Sequence, residues 1–98
     1  MSTSTITCIA AFTAKPDQID NLKAALLALI EPTRSEEGCI SYALHQAIDN
    51  PAKLTMLEKF KDQNAFDFHS AQPYQKALVN QLDLLVDSVD IQTFKVVA

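Results

Sequence analysis

Residues Cys39–Phe60 read CISYALHQAIDNPAKLTMLEKF, two strand-like runs joined by a turn. Cys39 to Ala47 and Lys53 to Phe60 are rich in aromatic, β-branched and other apolar residues. Asp49-Asn50-Pro51 between them combines side chains that bond their own backbone with a proline that fixes φ. The stretch predicts a β-hairpin at the middle of the chain. Upstream, Thr5 to Ala14 is a further strand, closed by Lys15-Pro16-Asp17. Asp17 is expected to cap a helix whose apolar residues Ile19, Leu22, Leu26, Leu29 and Ile30 form one stripe. Pro32 should loosen its last turn, Arg34 complements the negative helix end, and Gly38, the single glycine, is expected to redirect the chain in a left-handed conformation. Downstream, Asp62 should cap a helix carrying Ala65, Phe66 and His69, and Pro73 should split it from a stripe of Tyr74, Ala77, Leu78, Leu82 and Leu85. Val89 to Val97 is the last strand. The order is β-α-β-β-α-β, which predicts a ferredoxin-like α+β fold with a split second helix, as a single domain over residues 1–98.

Two helices cover one face of such a sheet, and the other face should then alternate apolar with polar. These strands do not. Ile6, Cys8, Ala10 and Phe12 share one parity of the first strand, but Ile9 and Ala11 occupy the other. Ile40, Tyr42 and Leu44 oppose Cys39 and Ala43 in the second. Leu54, Met56 and Phe60 oppose Leu57 in the third. An apolar face without its own helices predicts a homodimer, because a two-fold contact removes the same patch from water twice.

The 98 residues suffice for one core without disulfides or metals, and the formal charge of −4 without a Lys/Arg cluster argues against nucleic acid as a partner. No metal-ligand spacing, Gly-rich phosphate loop or nucleophile elbow occurs. Cys8 and Cys39 lie in apolar runs, as buried thiols do. The opening residues Met-Ser-Thr-Ser-Thr carry no basic group, and the apolar run behind them is only about eight residues long. The expected location is therefore cytoplasmic, without a membrane partner.

The residues that could carry chemistry are polar groups among apolar neighbours. Glu58 shares the parity of Leu54, Met56 and Phe60, so its carboxylate points to a face that should be dry, where burial raises its pKa. His69 follows Phe66 by about one helical turn and should point inward with it, able to move protons near neutral pH. Tyr42 and Tyr74 can each bring a hydroxyl to the edge of an apolar cavity. His45 ends its strand beside Gln46 and is expected to be exposed.

The segment Pro32-Thr33-Arg34-Ser35-Glu36-Glu37-Gly38-Cys39-Ile40-Ser41-Tyr42-Ala43-Leu44-His45, together with Glu58-Lys59-Phe60 and Phe68-His69-Ser70-Ala71-Gln72-Pro73, resembles the antibiotic biosynthesis monooxygenase family, in particular its small quinol-monooxygenase-like members. The resemblance implies a dimeric α+β barrel and a pocket between each sheet and its own helices. It also implies oxidation of a small quinol or other electron-rich aromatic substrate by dioxygen without cofactor or metal. Carried onto this chain, Glu58, His69 and Tyr42 match positions of the family; His69 and Glu58 are the expected catalytic residues, and Tyr42 and Phe60, with Phe66 and Tyr74 from their places beside the cavity, are the expected substrate-binding residues. Phe60 stands where many relatives have tryptophan, which removes an indole N–H donor. Haem-degrading relatives use an asparagine in the first strand, and this chain has none there. An isomerase or lyase acting on a small carbonyl compound, or a non-catalytic binding module, could use the same fold.

Overall fold

A computed structural model describes residues 3–98. Strands β1 (Ile6–Ala14), β2 (Cys39–Gln46), β3 (Lys53–Phe60) and β4 (Val86–Lys95) alternate with helices α1 (Ile19–Leu27), α2 (Ile30–Arg34), α3 (Gln63–Ser70) and α4 (Pro73–Leu85). The sheet is antiparallel in the order β2-β3-β1-β4, the ferredoxin-like arrangement, and within one chain it is open. The apolar stripes of the helices supply Leu22, Leu26, Leu29, Leu78 and Leu85 to a core shared with Ala10, Phe12, Leu54, Met56 and Phe60 of the sheet. Burial of these side chains is the main stabilising term, since each leucine, phenylalanine and methionine among them is worth roughly 1.5–3 kcal/mol relative to exposure.

The hairpin forms as its turn residues require. Asn50 Oδ1 accepts from the Ala52 N–H at 3.1 Å, and the Lys53 N–H reaches the Asn50 carbonyl at 3.0 Å. Asp62 caps α3, accepting from the Ala65 N–H at 2.8 Å, and Pro73 opens α4 at its first turn, where a missing N–H is harmless.

Other local expectations are corrected. Asp17 does not cap α1: Pro16 and Asp17 lie in a turn closed by the Gln18 N–H on the Lys15 carbonyl (2.9 Å), and Gln18 precedes the helix without a side-chain cap. The first helix divides at Ala28–Leu29, ahead of Pro32, which lies inside α2. Gly38 does not adopt a positive φ. A Cβ there would overlap the Ala65 side chain, so the glycine lets the start of α3 pack against the approach to β2. The last strand begins at Val86, directly after α4, three residues before the expected Val89. Strand β2 also carries an irregularity between Cys39 and Ser41. Its extra residue, Ile40, is displaced outward and half exposed at 46%, and Cys39 lies opposite Phe60 on the helix side. Strict alternation misassigns both because a bulge resets the parity.

On the side away from the helices, Ile9 of β1 pairs with Leu57 of β3, which pairs with Ala43 of β2. Phe94 of β4 pairs with Thr7 on the same face. Leu57 and Phe94 remain 39% and 40% exposed. The apolar strip read from the sequence is thus present, and no element among the described residues covers it.

Candidate functional site

The helices do not close fully on the face of the sheet that they cover. A cavity of about 220 Å³ lies between all four strands on one side and α1, α3 and α4 on the other. Its lining is mostly apolar, with Ala10, Phe12, Met56, Phe66, Leu78 and Leu82 among the contributors, and Cys8, Glu58, Tyr42 and His69 gather at one end.

Strand register builds that end. Glu58 pairs with Cys8 on one side and Tyr42 on the other, so three side chains from three strands stand in a row on the helix face. All three are buried, Glu58 being 6% exposed. Burial raises the Glu58 pKa from 4.5 to about 7; the charge of Glu36 adds to the rise and a hydrogen bond from the Cys8 thiol opposes it. The Cys8 thiol itself is pushed up to about 12 by burial and by the Glu58 carboxylate, which keeps it protonated. Cys39 is shifted the same way, by burial and by the negative charges of Glu36 and Glu58. Burial and then Glu58 likewise raise the Tyr42 phenol.

His69 descends onto this row from the last turn of α3 and is 2% exposed. Its ring lies over Phe60 (centroids 5.0 Å apart) and beside Tyr42 (5.5 Å), and Phe66 meets Phe60 edge-on at 5.7 Å. Nδ1 is 3.0 Å from Glu36 Oε2. Nε2 is 3.9 Å from Glu58 Oε1 and has no hydrogen-bond partner. A carboxylate accepting from Nδ1–H fixes the tautomer in which Nε2 carries the lone pair, and it compensates the charge the ring acquires on taking a proton. Glu36 is itself held, because the Tyr74 hydroxyl donates to the same Oε2. Burial and that bond raise the Tyr74 pKa. The arrangement offers a buried, oriented proton acceptor facing an apolar cavity, with a carboxyl group of near-neutral pKa beside it.

The structure therefore brings His69, Glu58, Tyr42 and Phe66 together at the cavity. Phe60 and Tyr74, expected at the substrate, do not line it. Phe60 is fully buried as the floor beneath His69, and Tyr74 lies behind Glu36. Glu58 is not the hydrogen-bond partner of His69; that partner is Glu36, to which the sequence reading assigned no role. Two adjacent glutamates before a glycine look like a solvated loop, and only the contact with α3 and α4, more than 30 residues away in sequence, buries Glu36. Arg34 stays outside the cavity, its Nε donating to the Tyr42 carbonyl at 3.0 Å. His45 is exposed. Among the described residues no group of three or more His, Cys, Asp or Glu could hold a metal ion, and no helix is long and apolar enough to cross a membrane.

This geometry agrees with the relationships of the chain. A family model described as antibiotic biosynthesis monooxygenase matches residues 5–81. The chain belongs to that family. A Mycobacterium tuberculosis protein named "Putative monooxygenase" is 39% identical over 72 residues, which span 74% of this chain and 70% of that protein. Its structure superposes with a TM-score of 0.92 over 97% of both chains, at 31% identity. A Shewanella oneidensis protein of solved structure is 38% identical with a TM-score of 0.92, covering 95% of this chain and 91% of its own. The family assignment accounts for the shared fold and supports a monooxygenase-like role.

Proposed function

We propose that this family member is a monooxygenase that oxidises a small quinol or other electron-rich aromatic compound in the cavity, without a cofactor, using His69 as proton acceptor. The observation that carries the reading is the free Nε2 of His69, buried against an apolar cavity while Glu36 holds the opposite nitrogen. Removing a phenolic or activated C–H proton yields an electron-rich anion that can pass an electron to dioxygen. One oxygen atom enters the substrate and the other leaves as water, with all four electrons drawn from the substrate, as when a ring methylene and O2 give a ketone and water. A positioned base contributes roughly 10²–10⁴-fold to such a step. The apolar walls keep water from the anion, and Phe66 and Tyr42 offer ring faces to an aromatic substrate.

Oxygen uptake by the purified protein with anthrone and substituted hydroquinones tests this. Consumption above the buffer rate that falls at least about 100-fold in His69→Ala is expected; uptake no faster than buffer, or unchanged in the variant, refutes it. A second reading, an isomerase acting on a small carbonyl compound, is favoured by the 3.9 Å approach of Glu58 to His69, which sets an acid beside a base. It predicts carbon-bound deuterium incorporation in heavy water without oxygen. We also propose that two copies pair through the strip containing Ile9, Leu57 and Phe94, joining their open sheets into one barrel.

A further inference from the structure

Strand pairing sets a thiol, a carboxylate and an imidazole in succession along one wall of the cavity. Cys8 and Glu58 are partners across β1 and β3, both line the cavity, and the thiol donates a hydrogen bond to the carboxylate. Glu58 Oε1 lies 3.9 Å from His69 Nε2. His69 is 2% exposed and lines the same cavity, and its Nε2 has no partner, which marks this wall as one built to meet a ligand. The oxidation proposed above makes no use of the thiol. Cys39, the second of the two cysteines, is placed differently: it is half-buried, it does not line the cavity, and Glu36 and Glu58 act on it through their charge.

A thiol bonded to a carboxylate rests in its neutral, unreactive form, yet it has a base in place to take its proton as a sulfur–carbon bond forms. We propose that Cys8 is a covalent capture site for α,β-unsaturated carbonyl compounds held in the cavity, in particular quinones with an unsubstituted ring carbon beside a carbonyl, with Glu58 as the base. Sγ bonds to that ring carbon, the π pair of the C=C bond moves onto the conjugated carbonyl oxygen, and the thiol proton passes through Glu58 to the same oxygen. The ring proton then moves to the second oxygen, which leaves a thioether hydroquinone. Both carbonyls become hydroxyls while the attacked carbon exchanges hydrogen for sulfur, so the addition is redox-neutral and needs no co-reactant. Confinement of thiol and electrophile in one cavity offsets the weak nucleophilicity of a buried thiol. The inference takes the shape of its ligand from the aromatic-substrate reading above and requires no oxygen chemistry. A quinol whose oxidised form keeps a free ring position therefore ends its own turnover by alkylating the wall, whereas a fully substituted ring leaves the site open.

Mass spectrometry of the purified protein treated with one equivalent of 1,4-naphthoquinone at pH 8, without oxygen, tests this independently of turnover. A gain of one quinone mass is expected, mapped by peptide analysis to Cys8 about tenfold or more faster than to the more exposed Cys39. The preference should vanish once the chain is unfolded in urea, and tetramethylbenzoquinone, which has no free ring position, should leave Cys8 unmodified. Glu58→Gln should slow the addition about tenfold or more. Labelling of Cys39 first or equally, a preference that survives unfolding, or no adduct at Cys8 while the same quinone consumes free cysteine overturns the inference. An addition rate unchanged in a folded Glu58→Gln overturns the role of the base, and the comparison of the two thiols in the wild type decides even where that variant does not fold. A protein that is modified at Cys8 yet consumes no oxygen loses the oxygenase reading alone, and one that consumes oxygen without an adduct at Cys8 loses this inference alone.

Discussion

Replacing Glu58 by glutamine should stabilise the protein in alkaline solution and change little in acid. The folded-state pKa of Glu58 lies near 7 against an ordinary 4.5, so between those values the folded chain binds more protons than the unfolded one, and stability falls as pH rises through the window. The contribution is fully present below 4.5 and lost above about 7. At about 1.36 kcal/mol per pKa unit the whole loss is about 3 kcal/mol, of which roughly 2–3 kcal/mol develops between pH 5 and pH 8. Glutamine has nearly the same shape and no charge to desolvate, so Glu58→Gln lacks this loss, while every other titrating group is common to both proteins and largely cancels in the difference. For a domain of this size each kcal/mol moves the melting temperature by roughly 4–8 °C. Circular dichroism melts of both proteins at pH 5, 6, 7 and 8, at one protein concentration, should show the variant gaining roughly 10–20 °C over the wild type across the series. A difference between the two proteins that stays constant with pH would refute the claim that the cavity holds a desolvated carboxylate.

Glu36→Leu should remove the acceptor that keeps the His69 proton on Nδ1; nitrogen NMR of the labelled protein is expected to show the Nδ1-protonated tautomer no longer favoured, with oxygen uptake reduced about 100-fold or more. Under the proposed pairing, sedimentation velocity should show a dimer for the wild type and a monomer for Leu57→Lys, because a charge replaces apolar surface at the middle of the uncovered strip. Gly38→Ala should destabilise by roughly 1–3 kcal/mol in urea titrations, since Ala65 occupies the space of the added methyl. Asp62→Ala should cost about 1 kcal/mol in the same experiment through loss of the α3 cap.

The strands, the hairpin and the cap at Asp62 were legible because each depends on neighbours in sequence: periodicity, an Asn-Pro turn, a capping side chain before a helix. The inward placement of Glu58 and His69 was legible for the same reason, one from strand parity and one from helical spacing after Phe66. Glu36 was not legible, because its burial depends on α3 and α4 folding back across it. The bulge at Ile40 was equally silent in the pattern, as both Cys39 and Ile40 are apolar and either parity reads as sensible. Gly38 was assigned the wrong advantage: its missing side chain matters for space, a tertiary property, and not for φ. Phe60 and Tyr74 stand one layer behind the cavity wall, which the pattern does not reveal, since an aromatic ring that supports a site and one that lines it look alike in sequence.

The row of Cys8, Glu58 and Tyr42 makes the chemistry hostage to arithmetic on the strands. A slip of one residue in the pairing of β3 would send Glu58 to the uncovered side and bring Leu57 into the cavity, abolishing the acid and disrupting the apolar strip in a single step. Both properties are thus set by the same count, which the turn at Asn50 and Pro51 enforces at the opposite end of the hairpin from Phe60. An insertion or deletion in that turn is remote from His69, yet it would act on the proposed oxidation and on the proposed pairing of copies together, with no intermediate dose.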